Sequence, residues 1–276
     1  MSALLGIGID LAWLQDAEAL RALAARLLLV SCRLAPLTLI APWLMLKSFP
    51  FALRIAVVVS LGLALHPPAL EASASVDRPW ALLSLALFEV LLGSVFALVV
   101  ALPLHAAEWA GRWVDLWRGA SLSEALLPTT SSSTSPLGDL FLLLAILLFW
   151  SSGAHRVALS LYADSLLALP IGSVGELQSL RPALLALLRL LADGLALSLV
   201  LALPAGAAIL FAELALGLVA RSVPAIPVYF AAMPLRAALG LFAVALASVW
   251  LLRTLFEAFA LALSQLEQVI RSLPAR

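Results

Sequence analysis

The sequence predicts an all-α fold of a membrane-derived kind, built from hydrophobic helical hairpins with proline breaks, and three features carry that prediction. Hydrophobic residues make up 64% of the 276 and charged residues 12%, where soluble domains have roughly half and a quarter. The apolar residues gather in about six blocks, at 23–46, 51–70, 80–107, 137–170, 183–220 and 235–263, each much longer than a strand. Leu and Ala dominate them, and the short alternating segments of an outer-membrane barrel do not occur. The whole chain, 1–276, reads as one membrane-embedded domain with a short polar tail at 264–276. Its 16 acidic and 16 basic residues cancel, so no field recommends nucleic acid as a partner.

In chain order, residues 1–26 lack a basic leader region, and Asp10, Asp16 and Glu18 interrupt their apolar run, so no cleaved signal peptide is expected. The first block contains Pro36 and Pro42, the third Pro103 and the fifth Pro204. Each removes a helical N–H and crowds the preceding turn, so a kink or break is expected there. In "AEWAGRWVDLWRGA", 107–120, Trp109, Trp113 and Trp117 recur every four residues and share one helical face. That face suits either an interfacial tryptophan belt or a docking surface. Glu108 with Arg112 and Asp115 with Arg118 have the spacing of helical ion pairs. The Ser-rich run 126–139, closed by Pro136 and Gly138, is expected to be a loop.

The blocks suit lipid poorly. A span needs about 20 predominantly apolar residues, whereas charge-free stretches such as 34–46, 55–70, 140–154 and 237–252 fall short. A charge at the bilayer centre costs about 2.5–3.5 kcal/mol on insertion scales. Arg26, Arg54 and Arg253 can snorkel to the headgroups on their long stems. Glu89 and Glu213 have short stems and apolar flanks, so each is expected to face a partner chain, a paired arginine or an aqueous cavity.

Sites for chemistry are sparse. Cys32 is the single cysteine, and His66, His105 and His155 are isolated, without the spacing of a metal-ligand set. Walker A, dinucleotide and G-x-S-x-G patterns do not occur. No catalytic, cofactor-binding or metal residue is assigned, and the chain is read as a non-enzyme.

The segment "ELALGLVARSVPAIPVYFAAMPLR", 213–236, is the most irregular. Val223, Ile226 and Met233 each precede a proline and are pushed away from the α region. Backbone of that kind persists at membrane depth only inside protein or beside water. Here the chain resembles the SctT/FliR family of the type III secretion and flagellar export gate. Gly217, Arg221, Pro224, Phe230, Pro234, Arg236 and Gly240 stand at that family's signature positions. Arg33, Pro36, Pro50, Arg54, Glu89, Gly93, Gly153, Ser165 and Pro170 follow its order elsewhere. "AGRWVDLWRGAS", with Gly111, Asp115, Arg118 and Gly119, is nearer the injectisome branch than the flagellar one, although Trp117 and Leu127 depart from the pattern.

The resemblance implies a subunit of the inner (cell) membrane, multi-pass by hydropathy, whose hairpins stack largely above the membrane plane once assembled. It implies assembly with SctR-like, SctS-like and SctU-like proteins, contact with needle or inner-rod subunits, and passage of secreted polypeptides. The residues expected to serve assembly or the gate are Glu89, Gly93, Gly111, Asp115, Arg118, Gly119, Glu213, Gly217, Arg221, Pro224, Pro227, Pro234 and Arg236. The alternative is a proton-coupled secondary transporter that uses Glu89 and Glu213 near broken helices.

Overall fold

A computed structural model describes residues 17–46, 49–65, 79–119, 135–171, 180–222 and 228–272. Among the described residues there is no strand. The helices are α1 (Ala17–Ile40), α2 (Phe51–Leu65), α3 (Pro79–Trp117), α4 (Pro136–Ser151), α5 (Ala154–Ala168), α6 (Leu180–Ser222) and α7 (Val228–Ser272), with a 3-10 turn at Pro42–Leu44. The all-α class read from composition is the class observed.

Proline starts several of these elements. Pro42 opens the 3-10 turn, the Pro50 carbonyl accepts from the Leu53 and Arg54 N–H groups in the first turn of α2, and α3 and α4 begin at Pro79 and Pro136. A fixed φ and a missing N–H cost nothing in a first turn. Ser135 caps α4 by accepting from the Gly138 N–H at 3.1 Å. Pro136, Gly138 and Asp139, expected in a loop, therefore form the first turn of a helix, while 120–134 lie outside the described residues.

Inside helices proline does not interrupt. α1, α3, α6 and α7 run on through Pro36, Pro103, Pro204 and Pro234. Of the kink or break expected at Pro36, Pro103 and Pro204, the break is therefore corrected, as is the expectation that Met233 is non-helical. A lost bond costs about 3 kcal/mol, but apolar surroundings offer the remaining backbone groups no water as an alternative. Around the irregular segment, α6 ends at Ser222 and α7 begins at Val228. Pro224 and Pro227 lie outside the described residues.

Among the described residues, four stretches are long and apolar enough to cross a membrane: Leu23–Ile40, Leu82–Trp117, Leu188–Ser222 and Ala232–Gln268. The α4–α5 pair adds a fifth if counted as one span. With 39, 43 and 45 residues, α3, α6 and α7 are about 58–68 Å long, twice the ~30 Å of a hydrocarbon core.

α3 is the axis of the fold. It packs against α1, α4, α6 and α7, while α2 lies on α1 and α5 on α7. Phe96, Leu104, Phe149, Tyr162, Leu201 and Phe259 belong to one continuous buried cluster. α4 and α5 are bent by 73° at Gly153, whose φ of +75° is open to glycine at no steric cost. Trp150 stacks on His155 across the bend and donates its Nε1–H to the Trp43 carbonyl at 3.1 Å.

Candidate functional site

Two buried polar centres lie along α3, and each pairs a carboxylate with a glycine one turn away. At the first, Glu89 Oε2 accepts from Arg33 Nε at 2.5 Å, with 2% and 1% of the two side chains exposed. Of the three surroundings expected for Glu89, the paired arginine is the one found. The same guanidinium reaches a third helix, because its Nη1 donates to the Ser165 and Leu169 carbonyls at 3.1 and 3.0 Å. Those carbonyls lie at the C-terminal end of α5, where the Ser165 carbonyl also accepts the Leu169 N–H at 3.0 Å. Gly93 sits beneath: a Cβ there would overlap the Arg33 carbonyl. The Tyr162 hydroxyl donates to the Gly93 carbonyl at 3.3 Å, and its ring meets Phe96 edge-on.

At the second centre, the buried Asp115 accepts from the Ser135 hydroxyl at 2.6 Å, the Leu137 N–H at 3.0 Å and Arg118 Nε at 2.7 Å. The carboxylate thus faces the N-terminal end of α4, where unpaired N–H groups and the helix dipole favour an anion. Gly111 lets α4 cross: a Cβ would overlap the Leu137 carbonyl and the Gly138 nitrogen. Gly119, with φ +81°, follows the end of α3. Arg118 also lies against α7, since a Cβ on Gly240 would stand 3.7 Å from the Arg118 Cβ.

The remaining expected residues are more open. Glu213 on α6 pairs with Arg236 on α7 at 3.3 Å, with 40% and 24% exposed. Gly217 is exposed, and a Cβ there meets nothing within 4 Å. Arg221 is exposed in the last turn of α6, and Pro234 is exposed within α7. The structure therefore joins Glu89 with Gly93, Gly111 with Asp115 and Arg118, and Glu213 with Arg236.

The tryptophan face is a packing surface within the chain. Trp113 Nε1–H donates to Ser198 on α6 at 3.3 Å, and Trp113 stacks on Trp117. Gly206 of α6 lies under the Trp117 ring. Glu108 pairs with Arg112 at 2.5 Å, as its spacing indicated. His105 donates from Nε2 to the Ile40 carbonyl at 2.9 Å, a helix-to-helix tie. Among the described residues no three His, Cys, Asp or Glu side chains gather as a metal set.

Sequence reasoning did not single out Ser135, Ser198 or Gly206 as contact residues. Ser135 immediately before a proline and an apolar run is a cap signal that identifies it in retrospect. Small residues at 194, 198, 202 and 206 of α6 recur every four positions, the mark of a face that admits another helix closely.

The family model described as bacterial export proteins, family 1, matches residues 24–262. The chain is 32% identical over 187 residues, 68% of it and 71% of the relative, to the Yop proteins translocation protein T of Yersinia pestis. It is 32% identical over 164 residues, 59% and 61% of the two chains, to the secretion system apparatus protein SsaT of Salmonella typhimurium. Against the flagellar biosynthetic protein FliR of Pectobacterium carotovorum it is 31% identical over 169 residues, 60% and 61% of the two. The two secretion-system relatives agree with the resemblance to the injectisome branch. With four helices of span length and a match over most of its length, the chain belongs to the bacterial export proteins of family 1, the SctT/FliR family, as a multi-pass protein of the inner membrane.

Proposed function

We propose that this chain is a subunit of a type III secretion export gate, assembling with SctR-like and SctS-like proteins into a pore that passes unfolded polypeptides. Relatives named for protein translocation, secretion apparatus and flagellar biosynthesis support the reading. The observation that carries it is α7. Most of its Ala232–Gln268 stretch is not buried, and Phe242, Leu246 and Val249 are 61–79% exposed. Lipid covers such a helix badly: between Arg236 and Arg253 the charge-free run is 16 residues, about 24 Å against a core of ~30 Å. Partner subunits are the better cover, and the long helices then stack largely above the membrane plane.

In this reading the chain is scaffold and conduit wall rather than enzyme. Glu213, Gly217, Arg221 and Arg236 face neighbouring subunits, and Pro224, Pro227 and Pro234 shape the segment nearest the conduit. SctU-like proteins and needle or inner-rod subunits meet its ends, and the driving energy is supplied elsewhere. A proton-coupled transporter built on Glu89 and Glu213 is disfavoured, because an arginine of the same chain holds each carboxylate.

Co-expression with SctR-like and SctS-like proteins, followed by affinity purification in mild detergent, tests the proposal. All three are expected to elute together in fixed ratio. Elution of this chain alone from membranes that contain all three would overturn it, as would proton-coupled solute uptake by the chain alone in liposomes.

A further inference from the structure

We infer that Arg33 is a positioning residue that latches the bent α4–α5 pair along α3, holding folded back a segment apolar enough to cross a membrane. The pair is fixed at its two ends by opposite buried charges. Asp115 takes the Leu137 N–H and the Ser135 hydroxyl at the start of α4, and Arg33 donates to the Ser165 and Leu169 carbonyls at the end of α5. An anion therefore meets the N–H end and a cation the C=O end, the signs that the helix dipoles favour.

The lengths agree with this placement. Glu89, which holds Arg33, and Asp115 are 26 residues apart on α3, about 39 Å at 1.5 Å per residue. α4 and α5 have 16 and 15 residues, about 24 and 22 Å, and with a 73° bend they reach about 37 Å end to end. A straight pair would be some 46 Å long and would overshoot. The bend at Gly153 is what lets both ends find their charges.

Glu89 alone does not explain Arg33. An ion pair between α1 and α3 uses Nε, whereas Nη1 serves only the α5 carbonyls. The two roles separate by substitution.

The test uses the full-length chain in detergent with Cys32→Ala, carrying one reporter thiol at a time: Leu166→Cys on α5 or Leu104→Cys on α3, both at buried positions. The rate of N-ethylmaleimide modification is read. Arg33→Lys keeps the charge for Glu89 but has a single ammonium, so it is expected to raise modification at position 166 at least threefold. Arg33→Met with Glu89→Met removes both charges without leaving one unpaired, and a tenfold or greater rise at 166 is expected. In both backgrounds position 104 should stay protected. Protection of 166 unchanged in both variants overturns the latch, and equal opening of 166 and 104 overturns it in favour of a general core role.

Discussion

Asp115 and Leu137 are joined across α3 and α4: the Leu137 N–H donates to Asp115 Oδ2 at 3.0 Å, on the same oxygen that accepts the Ser135 hydroxyl. An orphan donor of one helix is thus satisfied by a carboxylate of another. With Arg118 as a third donor, loss of the acceptor strands several groups at once. Asp115→Ala is expected to lower stability by about 2–3 kcal/mol, and Asp115→Asn, which keeps one acceptor oxygen, by roughly half as much. The midpoint of thermal unfolding of the full chain in detergent reads this. Unchanged midpoints would mean that apolar packing alone seats α4.

The glycines of the family pattern should divide by sign. Gly93 and Gly111 face backbone atoms of α1 and α4, which cannot turn aside as a side chain can. Gly93→Ala and Gly111→Ala are each expected to cost about 1–3 kcal/mol or more. Gly217, with nothing near its Cβ position, should behave oppositely: Gly217→Ala should stabilise the isolated chain by about 0.5–1 kcal/mol through helix propensity. The same melting experiment decides, and a destabilising Gly217→Ala would reveal a constraint that the fold does not show.

The sequence made some of these relationships legible and concealed others for a physical reason. Composition and block length sufficed for the all-α class, because burying a helix in an apolar environment leaves a statistical trace in every turn. Glu89 was recognisable as a carboxylate in need of a partner, since its desolvation cost is local. That the partner is Arg33, 56 positions away, depends on how α1 crosses α3, and no local pattern encodes that crossing. No break occurs at Pro36, Pro103 or Pro204, and Met233 is helical, because propensity measures a helix against water, whereas in an apolar environment the backbone groups have no water to turn to. Gly153 entered only as one member of a motif, and its left-handed bend decides where α5 ends.

Glu89 and Glu213, alike in the sequence, are expected to respond very differently. Glu89→Leu leaves the Arg33 guanidinium buried without its counter-charge, at a cost of about 3–5 kcal/mol. Glu213 pairs at a half-open site, where such bridges contribute about 0–1 kcal/mol. Glu213→Leu should therefore leave the melting of the isolated chain nearly unchanged and lower only the recovery of the complex with SctR-like and SctS-like proteins. Normal recovery and normal effector export would remove Glu213 from the assembly surface.

Gly206 and Trp117 should be strongly coupled. A Cβ at 206 would lie 2.6 Å from the Trp117 ring. That ring is not free to slide: it stacks on Trp113, which Ser198 holds through its indole N–H. In an exposed helix, alanine for glycine gains about 1 kcal/mol, but here overpacking of about 1–3 kcal/mol should outweigh the gain. Trp117→Leu opens the space, so Gly206→Ala should be neutral or stabilising in that background. Thermal melting of both single variants and the double variant closes the cycle, and a coupling below about 0.5 kcal/mol would place the tryptophan face out of contact with α6.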